Sequence, residues 1–272
     1  MQEIRPAAVA GMFYPADASQ LATDVKRLLA QAEAQTGAQV DNVPKAIIVP
    51  HAGYVYSGAA AASAYARLRP LRDRIRRVVL LGPAHRAYVR GLALPGSHVF
   101  ETPLGRVPVD AEAVARLARL PQICESPVAH SQEHSLEVQL PFLQTVLADF
   151  TLAPLAVGDA STAETAQALE AVWGGDETLI VISSDLSHFH PYGTAQMIDR
   201  ATTGRILDLS ADIDHEQACG ATPINGLLAC ARRHQLAPQL LALCNSGDTA
   251  GDHSRVVGYA AFAFTEVSSH VH

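Results

Sequence analysis

The segment AIIVPHAGY, residues 46–54, sets the architecture: a short, continuous apolar run, AIIVP, that stops on His51. An uninterrupted run of this kind is the pattern of a strand buried on both faces of a parallel sheet. Two other segments repeat the design. RVVLLG (77–82) runs into Pro83-Ala84-His85, and TLIVISS (178–184) runs into Asp185-Leu186-Ser187-His188. TLAPLAVG (151–158), LLALC (240–244) and VVGYAAFAF (256–264) read as further strands. Between them lie segments of helical character. In 17–33, Leu21, Val25, Leu28, Leu29 and Ala32 share one face. SGAAAASAYARL (57–68) is alanine-rich, and alanine loses no side-chain entropy in a helix. Segments 111–120, 135–147, 161–173, 193–209 and 223–234 complete the alternation, with Pro141 expected to kink the second of these or to lie in its first turn. The alternation predicts a single α/β domain over residues 1–272, with a largely parallel central sheet flanked by helices. ETPLGRVPVD (101–110) carries the Pro and Gly punctuation of a hairpin excursion, which would add an antiparallel edge to that sheet.

Composition narrows the function classes. Of 272 residues, 49% are apolar and 17% charged, which excludes a disordered or coiled-coil chain. The net charge is −7 and no basic block occurs, so no nucleic-acid partner is expected. No apolar stretch is long enough to span a bilayer, and the first residues lack the layout of a signal peptide, which together predict a cytoplasmic protein with no membrane partner. Four scattered cysteines without a CxxC pair argue against a disulfide framework.

The chemistry lies at the strand ends. In an open α/β sheet, ligands bind in the crevice outside the carboxyl ends of the strands. Three apolar runs there deliver His51, His85 and His188. Neutral imidazole is the commonest metal-ligating side chain and suits zinc, iron or copper. Each is individually open to the plainer reading of a loop histidine. Asp185, three residues before His188, could orient that imidazole, ligate a metal itself or cap the following turn. His130, Glu133, His134 and Glu137 form a second polar cluster at four-residue spacings, so that in a helix each like pair would share a face. If His134 reaches the crevice it is a hydrogen-bond donor to substrate; otherwise the cluster is a solvated helix start. Ser246–Asp252 is a Gly/Asp loop whose Asp248 could complete a metal site with two histidines, or serve only backbone geometry. Cys244 just before it is a second candidate ligand. Cys219-Gly220 resembles a turn into a helix, and Cys124 and Cys230 read as buried filler.

The stretches RPAAVAGMFYP, VPHAGYVYSG, LLGPAH, ETPLGRVPVD, AHSQEHSLEVQLPFL, ISSDLSHF, ACGATPI and SGDTAGDHSRVVGYA, running from Arg5 to Ala261, resemble the Memo-like proteins. Bacterial and archaeal members are called AmmeMemoRadiSam system protein B. The resemblance implies the fold of class III extradiol dioxygenases, which open catechol rings with Fe(II) and dioxygen. It implies His51 and His85 as metal ligands and His188, beside Asp185, in the acid/base place. The animal relative uses a cysteine near the C-terminus as third ligand. Here the equivalent point falls around Asp248 or Thr249, leaving Asp248, Cys244 and His188 as alternatives. The expected protein is a metal-dependent oxidoreductase using Fe(II) or Cu on a small-molecule substrate, with His188, Asp185 and His134 as its catalytic residues. A zinc hydrolase and a non-catalytic binding module are the alternatives. The family's bacterial name further implies a radical-enzyme partner and an AMMECR-type partner.

Overall fold

In the computed structural model, which describes residues 3–36 and 43–267, the three apolar runs lie side by side as parallel strands. In chain order the elements of the first half are β1 (Ile4–Arg5), α1 (Ala18–Thr36), β2 (Pro44–Val49), α2 (Tyr54–Tyr65), β3 (Arg77–Pro83), β4 (Leu92–Leu94), β5 (Val99–Thr102), β6 (Gly105–Pro108), α3 (Ala111–Leu117), β7 (Ile123–Glu125), α4 (Pro127–Ser131), α5 (His134–Glu137) and α6 (Leu140–Val146). The second half comprises β8 (Thr151–Val157), α7 (Thr162–Ala171), β9 (Thr178–Ser183), β10 (His188–His190), α8 (Tyr192–Leu207), α9 (Ala221–Arg233), β11 (Leu236–Asn245) and β12 (Val256–Glu266).

The main sheet runs β10-β12-β2-β9-β3-β8-β4-β7, with β11 paired to β12. Its centre, β2-β9-β3-β8, is parallel, whereas β12 joins β2 and β4 joins β8 antiparallel. The sheet is therefore α/β and parallel at its heart but mixed overall. The 101–110 excursion does not supply that antiparallel edge. Its hairpin, β5-β6, pairs with β1 in a separate three-stranded sheet, and the edge beyond β8 is taken by β4 and β7.

Alternate residues of each central strand enter opposite cores, as a period of two requires. Ile47, Val49, Val78, Leu80, Leu179 and Val181 pack with Leu21, Leu29, Tyr65 and Phe142 on one face. Ala46, Ile48, Val79, Leu81, Ile180 and Ile182 pack with Leu169, Ile206, Ile224 and Leu227 on the other. This double burial is why the strands read as unbroken apolar runs. Each fully buried Ile or Leu contributes about 1.5–3 kcal/mol.

The polar segment 127–146 is three short helices rather than one. Glu133 is extended between α4 and α5 and caps α5 through its side chain, which accepts from Ser135 N–H. Pro141 lies in the first turn of α6, where its missing N–H costs no helical hydrogen bond. Among the described residues no helix is long and apolar enough to cross a membrane.

Candidate metal centre

Because β2, β9 and β3 are neighbours in that order, their carboxyl ends open into one crevice. His51 follows β2, His85 follows β3, and the loop Ser184–Ser187 follows β9. His134, at the start of α5, completes the group. One ligand atom from each of His51, His85 and His134 lies within 4.8 Å of the others. The three rings stand 4.7–5.4 Å apart, centroid to centroid.

Hydrogen bonds set the tautomers of two of these rings. Ser183 Oγ donates to Ser135 O at 2.6 Å and lies 2.9 Å from His51 Nδ1. A hydroxyl has one proton, so Ser183 accepts at His51, whose Nδ1 carries the hydrogen and whose Nε2 keeps its lone pair. Glu133 plays the same part for His85: Oε1 is 2.9 Å from Nδ1, and Oε2 accepts the His85 backbone N–H at 2.5 Å. Burial alone would raise the Glu133 carboxyl, but the hydrogen bonds and charge of His85 and the Ser135 N–H hold it down at about 2. His134 Nδ1 is 3.3 Å from Glu133 Oε1, outside hydrogen-bonding alignment, and is buried without another partner. Burial, reinforced by the neighbouring imidazoles, pushes His51 well below its usual range, and burial takes His134 down to about 4. Both are neutral at pH 7.

These residues fit a divalent cation. Two lone pairs are aimed by their partners, His134 Nδ1 is an orphaned buried nitrogen, and the 1%-exposed Glu133 carboxylate supplies compensating charge. The set differs from the sequence expectation, which gave His134 a substrate-facing role and looked to His188 or Asp248 for a further ligand. Asp248 is engaged elsewhere: Oδ1 accepts from Tyr192 OH at 2.5 Å, and Oδ2 accepts from Asn245 N–H at 2.9 Å, capping its own turn. Cys244 lines the same small cleft as Asp248, Asp199 and Arg200, and neither joins the three imidazoles.

His188 donates from Nδ1 to Leu186 O at 2.8 Å and lies near enough to His51 and His85 to interact with their charge, but outside the converged set. Burial holds its pKa below the usual value. Asp185 is 5% exposed; Oδ1 accepts from His51 N–H at 2.7 Å, and Oδ2 is 4.0 Å from His51 Nε2. Desolvation, partly offset by that N–H, raises Asp185 to about 7.

The like-spaced pairs of the second polar cluster do not share a face, because the extended Glu133 separates the two helices. His130 is buried in α4 with Nε2 on Ala93 O at 2.8 Å. Glu137, fully buried, receives Arg5, Ala8 N–H, Val9 N–H and Tyr14 OH. Arg5 also donates to the carbonyls of His130 and Glu133. The N-terminal arm is thereby latched onto this segment and brings the Phe13 ring to 4.7 Å from His134. Cys124 is exposed rather than buried, while Cys230 is buried as expected.

Sequence reasoning left two site residues without a role. Glu133 was visible only as part of a polar cluster. Cys219 lies with Sγ 3.3 Å from His51 Nε2, a contact between residues 168 apart that no local spacing signals. Burial, with the Asp185 charge, pushes its thiol up to about 12.

Known proteins resemble this chain over almost its whole length. The family profile described as "Memo-like protein" matches residues 5–263. A "MEMO1 family protein" of Aquifex aeolicus is 34% identical, the alignment covering 96% of this chain and 99% of that one. Proteins of the same description from Nitrosopumilus maritimus (33% identical, 96% and 99% covered) and Methanococcoides burtonii (36%, 95% and 98%) are similar over equally long spans.

Proposed function

The chain belongs to the Memo-like protein family, and on that premise we propose that its crevice is a metal-dependent catalytic centre of oxidoreductase type acting on a small molecule. The family shares the fold of class III extradiol dioxygenases. The observation that carries the reading is the convergence of His51, His85 and His134 within 4.8 Å, two of them locked in the tautomer that presents Nε2.

These three residues would hold the ion, iron(II) or copper. Bound there, it supplies Lewis acidity and one-electron chemistry toward dioxygen. The remaining steps belong to the chain. His188, neutral at pH 7 with Nδ1–H committed to Leu186 O, presents Nε2 as a base for a substrate hydroxyl. Asp185, raised to about 7, holds the His51 backbone and can exchange a proton near neutrality. Phe13 screens one side of His134 from water.

One observation favours a second reading. No carboxylate stands among the converged ligand atoms, since Glu133 is spent on orienting His85. Three histidines with an open position also suit a hydrolytic zinc, which lowers the pKa of its water to about 7.

Metal analysis of anaerobically purified protein, beside the His51→Ala/His85→Ala double variant, tests both. Stoichiometric iron or copper in the wild type alone, followed by oxygen uptake with catechols, supports the oxidoreductase. Stoichiometric zinc moves the assignment to hydrolysis. A wild type that takes up no metal even after reconstitution ends both.

A further inference from the structure

The residue after His188 is forced out of the strand that carries it. β10 pairs antiparallel with β12, His188 opposite Val257 and His190 opposite Val256, so Phe189 is the extra residue of a β-bulge. Its φ of 62° lies in the left-handed region, which is costly for an aromatic residue. The ring gains little burial in return. It is 60% exposed, T-shaped to the His188 ring at 5.6 Å, and the Arg255 guanidinium lies over it at 5.0 Å. Resting on the reading of this crevice as a catalytic centre, we propose that Arg255, seated on Phe189, is its specificity-determining residue and that the substrate carries a carboxylate.

Three observations carry this. The first is that Arg255 is positioned without being neutralised. Among the described residues no carboxylate pairs with its guanidinium and no carbonyl accepts from it. The acid nearest in sequence, Asp252, is taken by the N–H and hydroxyl of Ser254. An aromatic face holds a cation through its quadrupole, which leaves the charge and the five N–H donors available to a ligand.

The second is how the arginine is delivered. Tyr192, at the start of α8, donates its N–H to His253 O at 3.0 Å, stacks on the His253 ring at 4.5 Å, and gives its hydroxyl to Asp248. His253 Nε2 donates to Gly247 O at 3.1 Å. The loop that precedes Arg255 is thus fastened at Asp248 and at His253 to the segment that follows Phe189. Bulges beside functional sites re-aim side chains, and backbone strain persists only where the surrounding structure imposes it.

The third is the local charge. The chain has a net charge of −7, yet Arg86, next to His85, also lacks a carboxylate partner among the described residues, and its charge is felt at His134. The crevice is therefore bordered by unpaired cations on an acidic protein, an arrangement that draws in anions. A single planar guanidinium matches a carboxylate in shape and in charge.

The test uses protein loaded with zinc(II), which is redox-inert and so permits binding without turnover. Dihydrocaffeate, a catechol with a carboxylate on a flexible tether, and its neutral amide are titrated by calorimetry into wild type, Arg255→Gln and Phe189→Gly. Folding is checked by circular dichroism and zinc by stoichiometry. Wild type should bind the acid roughly 10–100-fold more tightly than the amide, as expected for a charged hydrogen bond, and lose part of that preference in high salt. Arg255→Gln should weaken the acid alone and bring the two within about twofold. Phe189→Gly should melt no lower than wild type, because glycine takes this φ without strain, yet lose most of the preference. Acid and amide bound equally by zinc-loaded wild type, or bound by neither, overturns the proposal and leaves the metal centre standing. A preference that survives Arg255→Gln overturns it in favour of Arg86, and one that survives Phe189→Gly removes the bulge from recognition. Wild type that takes up no zinc overturns the reading on which the proposal rests.

Discussion

Ser183 accepts from His51 Nδ1 at 2.9 Å because its own proton is already given to Ser135 O at 2.6 Å. The serine is the last residue of β9, and the histidine lies just past the end of the adjacent β2. Two neighbouring strands thus fix one imidazole in the tautomer a metal requires, before any ion arrives. Gln139 Nε2 also donates to that hydroxyl at 2.8 Å, which saturates it.

Ser183→Ala should therefore weaken metal binding roughly tenfold by releasing the His51 tautomer. It should also cost about 1–3 kcal/mol of stability, because buried His51 and Gln139 donors lose their acceptor. Competition titration against a chromophoric chelator and urea denaturation of the stripped protein read the two effects. Unchanged metal affinity would show that Ser183 is structural only.

Glu133→Gln should be the more damaging change. It removes the buried charge beside three imidazoles and the strong acceptor for His85 Nδ1. Metal affinity is expected to fall roughly 10–100-fold, with the fold retained by circular dichroism. An affinity within twofold of wild type would refute an orienting role.

His130→Ala and His134→Ala should part company. Both side chains are neutral and sit four residues apart, but His130 bonds to Ala93 O whereas His134 stands with His51 and His85. The first variant should melt lower and keep its metal stoichiometry; the second should lose metal. Equal metal loss in both would contradict the separation of α4 from α5.

Asp185→Asn should alter the pH dependence of the stripped protein. The Asp185 carboxyl is raised to about 7 in the fold, against its ordinary 3.8, so between those values the folded state binds the extra proton. The wild type therefore loses stability from this group as pH rises from 3.8 to 7, the reverse of a salt-bridged carboxylate. Asparagine keeps the oxygen that accepts His51 N–H but carries no charge. Its stabilising effect should be largest at pH 8 and shrink as pH falls toward 4, as read by thermal melts across that range. A difference in melting temperature independent of pH would contradict a buried, neutralisable Asp185.

Arg5→Met should cost about 3–5 kcal/mol, since it strands the fully buried Glu137 carboxylate. Guanidinium denaturation measures it. A loss below 1 kcal/mol would show that the latch of the N-terminal arm contributes little.

The sequence alone determined the α/β alternation and the placement of His51, His85, Asp185 and His188 at strand ends. Those features are local: a strand buried on both faces has no choice but to be apolar throughout, and its end must be followed by a loop. The tertiary structure decided which strand ends are neighbours, and so which side chains meet. The order β2-β9-β3 brings His51 beside the Ser183–Asp185 turn. Glu133 acts on His85 across 48 residues, and Cys219 reaches His51 across 168. No periodicity records contacts of that range. Local spacing even misled at His130 and His134, where four-residue separation suggested one helical face. A single extended residue, Glu133, stabilised by its cap on Ser135 and its bonds to His85, turned the second histidine into the crevice and left the first in the core.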